Sequence, residues 1–92
     1  MNGEKGKQYF TYMVRCRDNS LYTGFTDDLA RRVKTHNEGR GGKYTRSRRP
    51  VVLVWYRAFD DEHGARSLEF HLKRKTKAEK EEMVRAFGKE HS

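Results

Sequence analysis

Residues 51–58 read VVLVWYRA, an unbroken β-branched and aromatic run with the composition of a strand. Pro50 stands just before it and marks its start, because proline cannot donate to a ladder. A run this continuous is expected in the middle of a sheet, or in a strand covered on both faces. The preceding chain supplies partners. Tyr9 to Arg15 alternates Phe10, Tyr12 and Val14 with more polar neighbours, the two-residue period of a strand. Arg17-Asp18-Asn19-Ser20 is turn chemistry, since Asp, Asn and Ser offer the backbone local hydrogen bonds. Leu21 to Phe25 follows as the return strand, completing a hairpin.

Helical patterns fill the remaining segments. Thr26, Asp27 and Asp28 can cap and charge-match a helix start. Leu29 and Val33 then lie one turn apart, with Arg32 and His36 on a neighbouring stripe, and Asn37 and Gly39 end the helix. Gly39 to Pro50 reads as a loop. Asp60 and Asp61 open a second helix with Ala65, Leu68 and Leu72 as its apolar stripe. Thr76 and Glu79 have the spacing of a capping box and open a third, with Met83, Val84 and Phe87 inward and Gly88 as its end. The order ββαβαα predicts an α+β domain: a small three-stranded antiparallel sheet flanked by helices.

A chain of 92 residues is one domain. At that size roughly two thirds of the extended surface is buried, so the core is real but small. Residues 1–7 are polar and expected to be a disordered lead-in, residues 8–87 the domain, and residues 88–92 a tail. The N-terminus lacks the apolar stretch of a signal peptide, and no run approaches the ~20 apolar residues of a membrane span. A cytoplasmic location is the expectation. A single cysteine, Cys16, excludes an internal disulfide and a cysteine-rich zinc site, and is expected to be a small buried strand residue.

The net charge of +8 is concentrated. Residues 31–49 hold eight cations (Arg31, Arg32, Lys34, Arg40, Lys43, Arg46, Arg48 and Arg49) against one acid, Glu38. The rest of the chain, with 13 basic and 12 acidic residues, is almost neutral. Such a segment is the electrostatic footprint of a polyanion-binding surface, or a solvated basic loop. Tyr44, set among these cations, could stack on an exposed base or pack on the sheet.

Tyr12, Tyr22 and Arg32 fall on three successive elements, and a hairpin followed by a helix brings two phenols and a guanidinium towards one surface. A guanidinium held near the sheet presents a fixed fork to phosphate oxygens. A phenol handles a water's proton only if its pKa falls, which a nearby guanidinium and a metal would favour. Gly24 leaves room for close approach at the strand. Glu69 either pairs with Lys73 one turn on or ligates Mg²⁺ as a lone carboxylate, with waters and a substrate phosphate completing the shell. His36, His63, His71 and His91 form no zinc pattern, and only His36 falls near the other candidates.

These residues resemble the GIY-YIG nuclease superfamily. Its first motif corresponds to Phe10-Thr11-Tyr12 and its second to Tyr22-Thr23-Gly24. The following helix carries the family arginine at Arg32 and a His or Tyr one turn later at His36. The family glutamate matches Glu69 within SLEFHLKRK. With RRVKTHN and KYTRSRRP in order, the resemblance covers about residues 8–80 and is similar to small stand-alone bacterial members. Phe25 stands where some repair members carry a lysine. The resemblance implies that Tyr22 orients or deprotonates the attacking water, assisted by Tyr12 and His36. It further implies that Arg32 stabilises charge on the phosphate and that Glu69 holds one Mg²⁺ or Mn²⁺.

The implied function is a metal-dependent DNA endonuclease, selective for branched, flapped or damaged structures and linked to DNA repair or recombination. Nucleic-acid contacts would come from Arg31, Lys34, Arg40, Lys43, Tyr44, Arg46, Arg48 and Arg49. The alternative is a nucleic-acid-binding module, or a subunit activated by a protein partner, with little turnover of its own. DNA against RNA, the natural substrate and the oligomeric state stay open.

Overall fold

The computed structural model describes residues 7–91. In chain order the elements are β1 (Tyr9–Arg15), β2 (Leu21–Thr26), α1 (Leu29–Asn37), α2 (Lys43–Arg46), β3 (Val52–Phe59), α3 (Glu62–Lys73) and α4 (Lys77–Glu90). The α+β architecture with three antiparallel strands is as expected, with one added element: the segment expected to be all loop contains the single turn α2.

The strand order is β2-β1-β3, so β1 is central and β3 is an edge; of the two expectations for VVLVWYRA, the place in the middle of the sheet is wrong. A register irregularity explains the misleading run. Met13 pairs with Trp55 but Val14 pairs with Leu53, so Val54 is an extra residue on β3. The bulge places apolar positions side by side without any burial between strands. Val51 and Leu53 serve the core beside α1, while Val54 and Trp55 serve the core beneath α3 and α4. Val52, by contrast, is 61% exposed.

The central strand is covered on both faces. Tyr12 and Val14 enter the α1-side core, and Met13 enters the other. Thr11, read from sequence as a polar neighbour, is fully buried because its hydroxyl donates to the Ala65 carbonyl at 2.6 Å. That bond draws α3 against the sheet at Ala65, a residue with little side chain to keep it away. Leu72 reaches Met13 and Trp55 one face further along, and truncating a buried leucine costs about 2–5 kcal/mol.

Local chemistry sets the element ends. Asp18 accepts from the Ser20 backbone and hydroxyl, and Asn19 takes the left-handed conformation (φ 73°) in the hairpin turn. Asp28, rather than Thr26 or Asp27, is the residue whose carboxylate caps α1, accepting from the Arg31 amide. Gly39 (φ 84°) ends α1 in a Schellman arrangement, its amide donating to the His36 carbonyl and that of Arg40 to the Thr35 carbonyl. Asp61 caps α3, and both halves of the Thr76–Glu79 capping box form. Gly88 does not end the third long helix. α4 runs on to Glu90, because Phe87 is held by Tyr56 and the His91 amide and ring both close on the Phe87 carbonyl. Residues 88–90 of the expected tail are therefore helical. The expected lead-in at residues 1–7 lies outside the described residues except for Lys7, which pairs with Asp27 at 2.9 Å.

One ion pair ties the layers. The Arg15 guanidinium grips both carboxylate oxygens of Glu81 at 2.8 and 2.7 Å, joining β1 to α4. With Lys77 it holds the Glu81 carboxyl down at about 2.

Candidate active site and nucleic-acid interface

Tyr12 sits at the middle of β1 opposite Gly24 on β2. Its ring lies where a side chain at position 24 would be: a Cβ on Gly24 would come 2.4 Å from the phenol oxygen. The room that Gly24 leaves is thus filled by Tyr12 itself, rather than open to a ligand. Tyr12 is only 1% exposed, so it belongs to the interior and does not share a surface with Tyr22.

The Tyr12 oxygen is the hub of a buried hydrogen-bond chain. It lies 2.8 Å from His36 Nε2 and accepts from Arg32 Nε at 3.3 Å. The Arg32 Nη2 donates to the Gly41 carbonyl at 3.1 Å, so the guanidinium is held at two points. The other nitrogen of His36, Nδ1, is 2.7 Å from Thr45 Oγ1. His36 is fully buried and Thr45 almost so. A neutral imidazole carries one ring proton, so His36 accepts from one hydroxyl and donates to the other.

Burial dominates the electrostatics here. It lowers the His36 pKa to about 4, with the Arg32 charge pushing the same way. Burial also raises the Tyr12 phenol to about 12, even though Arg32 pulls it down. The guanidinium alone does not lower this phenol's pKa, because desolvating the phenolate by burial outweighs its pull. Both groups are neutral near pH 7, and both brace Arg32, Tyr12 directly and His36 through the Tyr12 oxygen.

The remaining candidates gather around this hub. Tyr22 is half-buried, with its ring edge-on to His36 at 5.4 Å. Glu69, on α3, pairs with Lys73 at 3.1 Å, and Lys73 in turn stands 5.9 Å over the Tyr22 ring. Glu69 is also close enough to Tyr12 to contribute to its raised pKa. Two residues not singled out from sequence complete the arrangement. Thr45 contacts His36 from α2, and Gly41 is obligatory because a Cβ there would lie 2.2 Å from His36 Nδ1. Gly41, ahead of KYTR, is the visible trace of this close approach, although its meeting with His36, five residues back, is set by the loop's path.

The basic segment is less uniform than its composition. Arg31 lies 3.7 Å from Asp27 and 3.8 Å from Asp28, Arg48 bonds Asp18 at 3.0 Å, and Lys34 and Arg40 share Glu38. Four of the eight cations are thus neutralised by carboxylates, three of which come from outside residues 31–49. Lys43, Arg46 and Arg49 have no carboxylate partner among the described residues. Tyr44 packs rather than standing free: one face stacks on Tyr22 at 5.7 Å, and the Arg48 guanidinium lies 3.9 Å over its ring. Cys16 is buried just beyond β1.

Among the described residues no three His, Cys, Asp or Glu side chains gather as a ligand set. The single carboxylate of Glu69 does fit Mg²⁺ or Mn²⁺, hard ions that keep several waters and take substrate phosphates as ligands. No helix among the described residues is long and apolar enough to cross a membrane.

This constellation falls inside a recognised domain: residues 8–82 match the GIY-YIG catalytic domain, and the chain belongs to that family. Among its relatives are the UPF0213 proteins of Lacticaseibacillus paracasei and Pediococcus pentosaceus. The first is 51% identical over 75 residues, covering 82% of this chain and 84% of the relative. The second is 42% identical over 80 residues, covering 87% and 84%. Two solution NMR structures share the fold. A UPF0213 protein of Bacillus halodurans is 39% identical with a TM-score of 0.56, covering 86% of this chain and 84% of that one. A protein of E. faecalis is 33% identical with a TM-score of 0.60, covering 100% and 96%.

Proposed function

We propose that this chain is a divalent-metal-dependent DNA endonuclease, selective for DNA structure and working in repair or recombination. The observation that carries the reading is the two-point hold on Arg32. Its guanidinium is fixed through Nε to Tyr12 and through Nη2 to the Gly41 carbonyl. A preset cation of this kind stabilises the negative charge that grows on a phosphate when water attacks phosphorus.

In hydrolysis the water oxygen bonds to phosphorus, one P–O ester bond breaks, and the leaving oxygen takes up a proton. In this reading Tyr22 orients that water or takes its proton, which the burial of Tyr12, sealed in the core and held protonated, supports. His36 and Tyr12 keep Arg32 aimed. Glu69 would hold one Mg²⁺ or Mn²⁺, which when bound supplies Lewis-acid charge to the phosphate. Lys73 must then give up its pairing with Glu69 to a cation of higher charge. That pairing is what favours the second reading, a nucleic-acid-binding module or a subunit that a protein partner activates, with little turnover alone.

Labelled single-stranded, duplex, flap, fork and four-way-junction DNAs, incubated with Mg²⁺ or Mn²⁺, separate the two. Metal-dependent cutting that is absent from Arg32→Ala and Glu69→Ala is the expected result. Binding without cutting above those variants overturns the enzyme reading.

A further inference from the structure

Two of the basic-segment cations that lack carboxylate partners among the described residues, Arg46 and Arg49, lie together. They line one hollow together with Arg17, from the hairpin turn, and with Asn37, Ser47 and Pro50. The backbone builds its walls. The Arg17 amide donates to the Arg48 carbonyl at 2.9 Å, and Asn37 bonds both the amide and the carbonyl of Val51, at 2.6 and 3.0 Å. Arg49 Nε donates to the Arg46 carbonyl at 2.8 Å, and Arg17 Nη2 reaches the Ser47 carbonyl at 3.4 Å. Gly39 allows this packing, since a Cβ there would come 2.9 Å from Arg49 Nη1.

Three arginines lining one hollow bring like charges together, and an anion bound among them relieves the repulsion. The carboxylates nearest in the fold are already engaged, Asp18 by Arg48 and Glu38 by Lys34 and Arg40. No carboxylate pairs with Arg17, Arg46 or Arg49 among the described residues. Guanidinium forks match the oxygens of a phosphate, and carbonyl anchoring of Arg17 and Arg49 leaves their other N–H groups to donate.

We propose that Arg17, Arg46 and Arg49 form a second phosphate-binding site, distinct from Arg32, that takes a phosphate of the nucleic-acid strand. The proposal rests on the nuclease reading for the identity of the strand. Arg32 and Asn37 share α1 and are separated by about 7.5 Å along its axis at 1.5 Å per residue. At about 3.4 Å per nucleotide, a strand held at Arg32 reaches the hollow within a few nucleotides. The site therefore sets the strand's direction across α1 and gives the substrate a second fixed point.

The test measures binding of labelled single-stranded and duplex DNA by fluorescence anisotropy across a salt series. Wild type is compared with Arg17→Gln, Arg46→Gln, the double variant and a control, Arg85→Gln, whose arginine pairs with Glu82 on α4. The expected result is roughly tenfold weaker binding in the double variant. Its slope of log affinity against log salt should be shallower by about one per lost contact. Affinity and slope matching the control overturn the site. Oligonucleotides with and without a 5′-phosphate identify the source: a wild-type preference for the phosphorylated end assigns a terminal phosphate, and none, with the slope change kept, assigns a backbone phosphate. Titrating inorganic phosphate while observing arginine Nε–Hε resonances gives a readout independent of DNA. Early shifts at Arg17, Arg46 and Arg49 support the site, and uniform shifts at all arginines overturn it. Loss of strand binding in the double variant of a protein that cuts nothing sinks the endonuclease reading and leaves the site standing. Unchanged binding in a protein that cuts does the reverse.

Discussion

Tyr12 and His36 meet at 2.8 Å with both rings sealed from water, and this contact joins the central strand to the first helix. Arg32 donates to the same phenol oxygen, so one hydroxyl serves two elements of the site. Tyr12→Phe keeps the ring and removes that oxygen, leaving His36 Nε2 and Arg32 Nε without their partner. The variant should fold with about 1–3 kcal/mol less stability in urea unfolding, and the His36 ring ¹⁵N shifts should move. Unchanged stability together with unchanged ring shifts would show that the hub is dispensable.

The pH dependence of stability has three separate windows. His36 is held below its usual 6.5, at about 4, so the unfolded chain takes up a proton that the native core refuses, and stability falls as pH drops from about 6.5 to 4. Glu81, held from 4.5 down to about 2, first by the Arg15 bond, extends that fall from 4.5 to 2. Tyr12 acts in the opposite direction: raised by burial from 10.0 to about 12, it takes stability away as pH rises through that interval. Urea midpoints measured from pH 3 to 11 test all three. Glu81→Gln should flatten only the lowest window, and a midpoint constant from pH 7 to 4 would contradict a buried neutral His36.

Thr23 Oγ1 is buried without a hydrogen-bond partner among the described residues, on the strand that also carries Tyr22 and Gly24. Replacing the hydroxyl by a methyl removes a desolvated polar group and keeps the shape. Thr23→Val should therefore stabilise the protein by about 1 kcal/mol, raising Tm by roughly 4–8 °C. A lower Tm would mean that the hydroxyl has a partner in solution, and ordered water is the first to seek.

Gly41→Ala sets a methyl 2.2 Å from His36 Nδ1, against a ring already packed by Tyr12 and Thr45. The loop must move, taking with it the carbonyl that anchors Arg32. A loss of about 1–3 kcal/mol is expected. Gly42→Ala is the comparison: no atom lies near its Cβ, and only its positive φ (132°) opposes the change. Thermal unfolding of the pair distinguishes crowding from backbone strain.

Much of this arrangement is written in local sequence. The spacing of Arg32 and His36 puts both on one flank of α1, and Asp28, Gly39 and Thr76 mark element ends through chemistry that acts over three or four residues. The GIY-YIG resemblance named Tyr12, Tyr22 and Glu69. What sequence left open depends on distant partners. Val54 is surplus only because of how β1 pairs, so VVLVWYRA resembles an inner strand. The contacts of Tyr44 with Tyr22 and Arg48 and the acidity of Tyr12, decided by burial, are likewise recorded by no local pattern in the chain.

The bulge at Val54 also bears on how copies of the chain coexist in a crowded solution. β3 is an outer strand whose free side exposes Val52 and Tyr56, the kind of border along which strands from separate molecules zip together into aggregates. An extra residue twists that border away from the flat geometry a foreign strand requires, and the charged Arg57 next to Tyr56 adds repulsion between like chains. The same irregularity that hid the strand's place in the sheet is thus of the kind that discourages edge-to-edge pairing in β proteins.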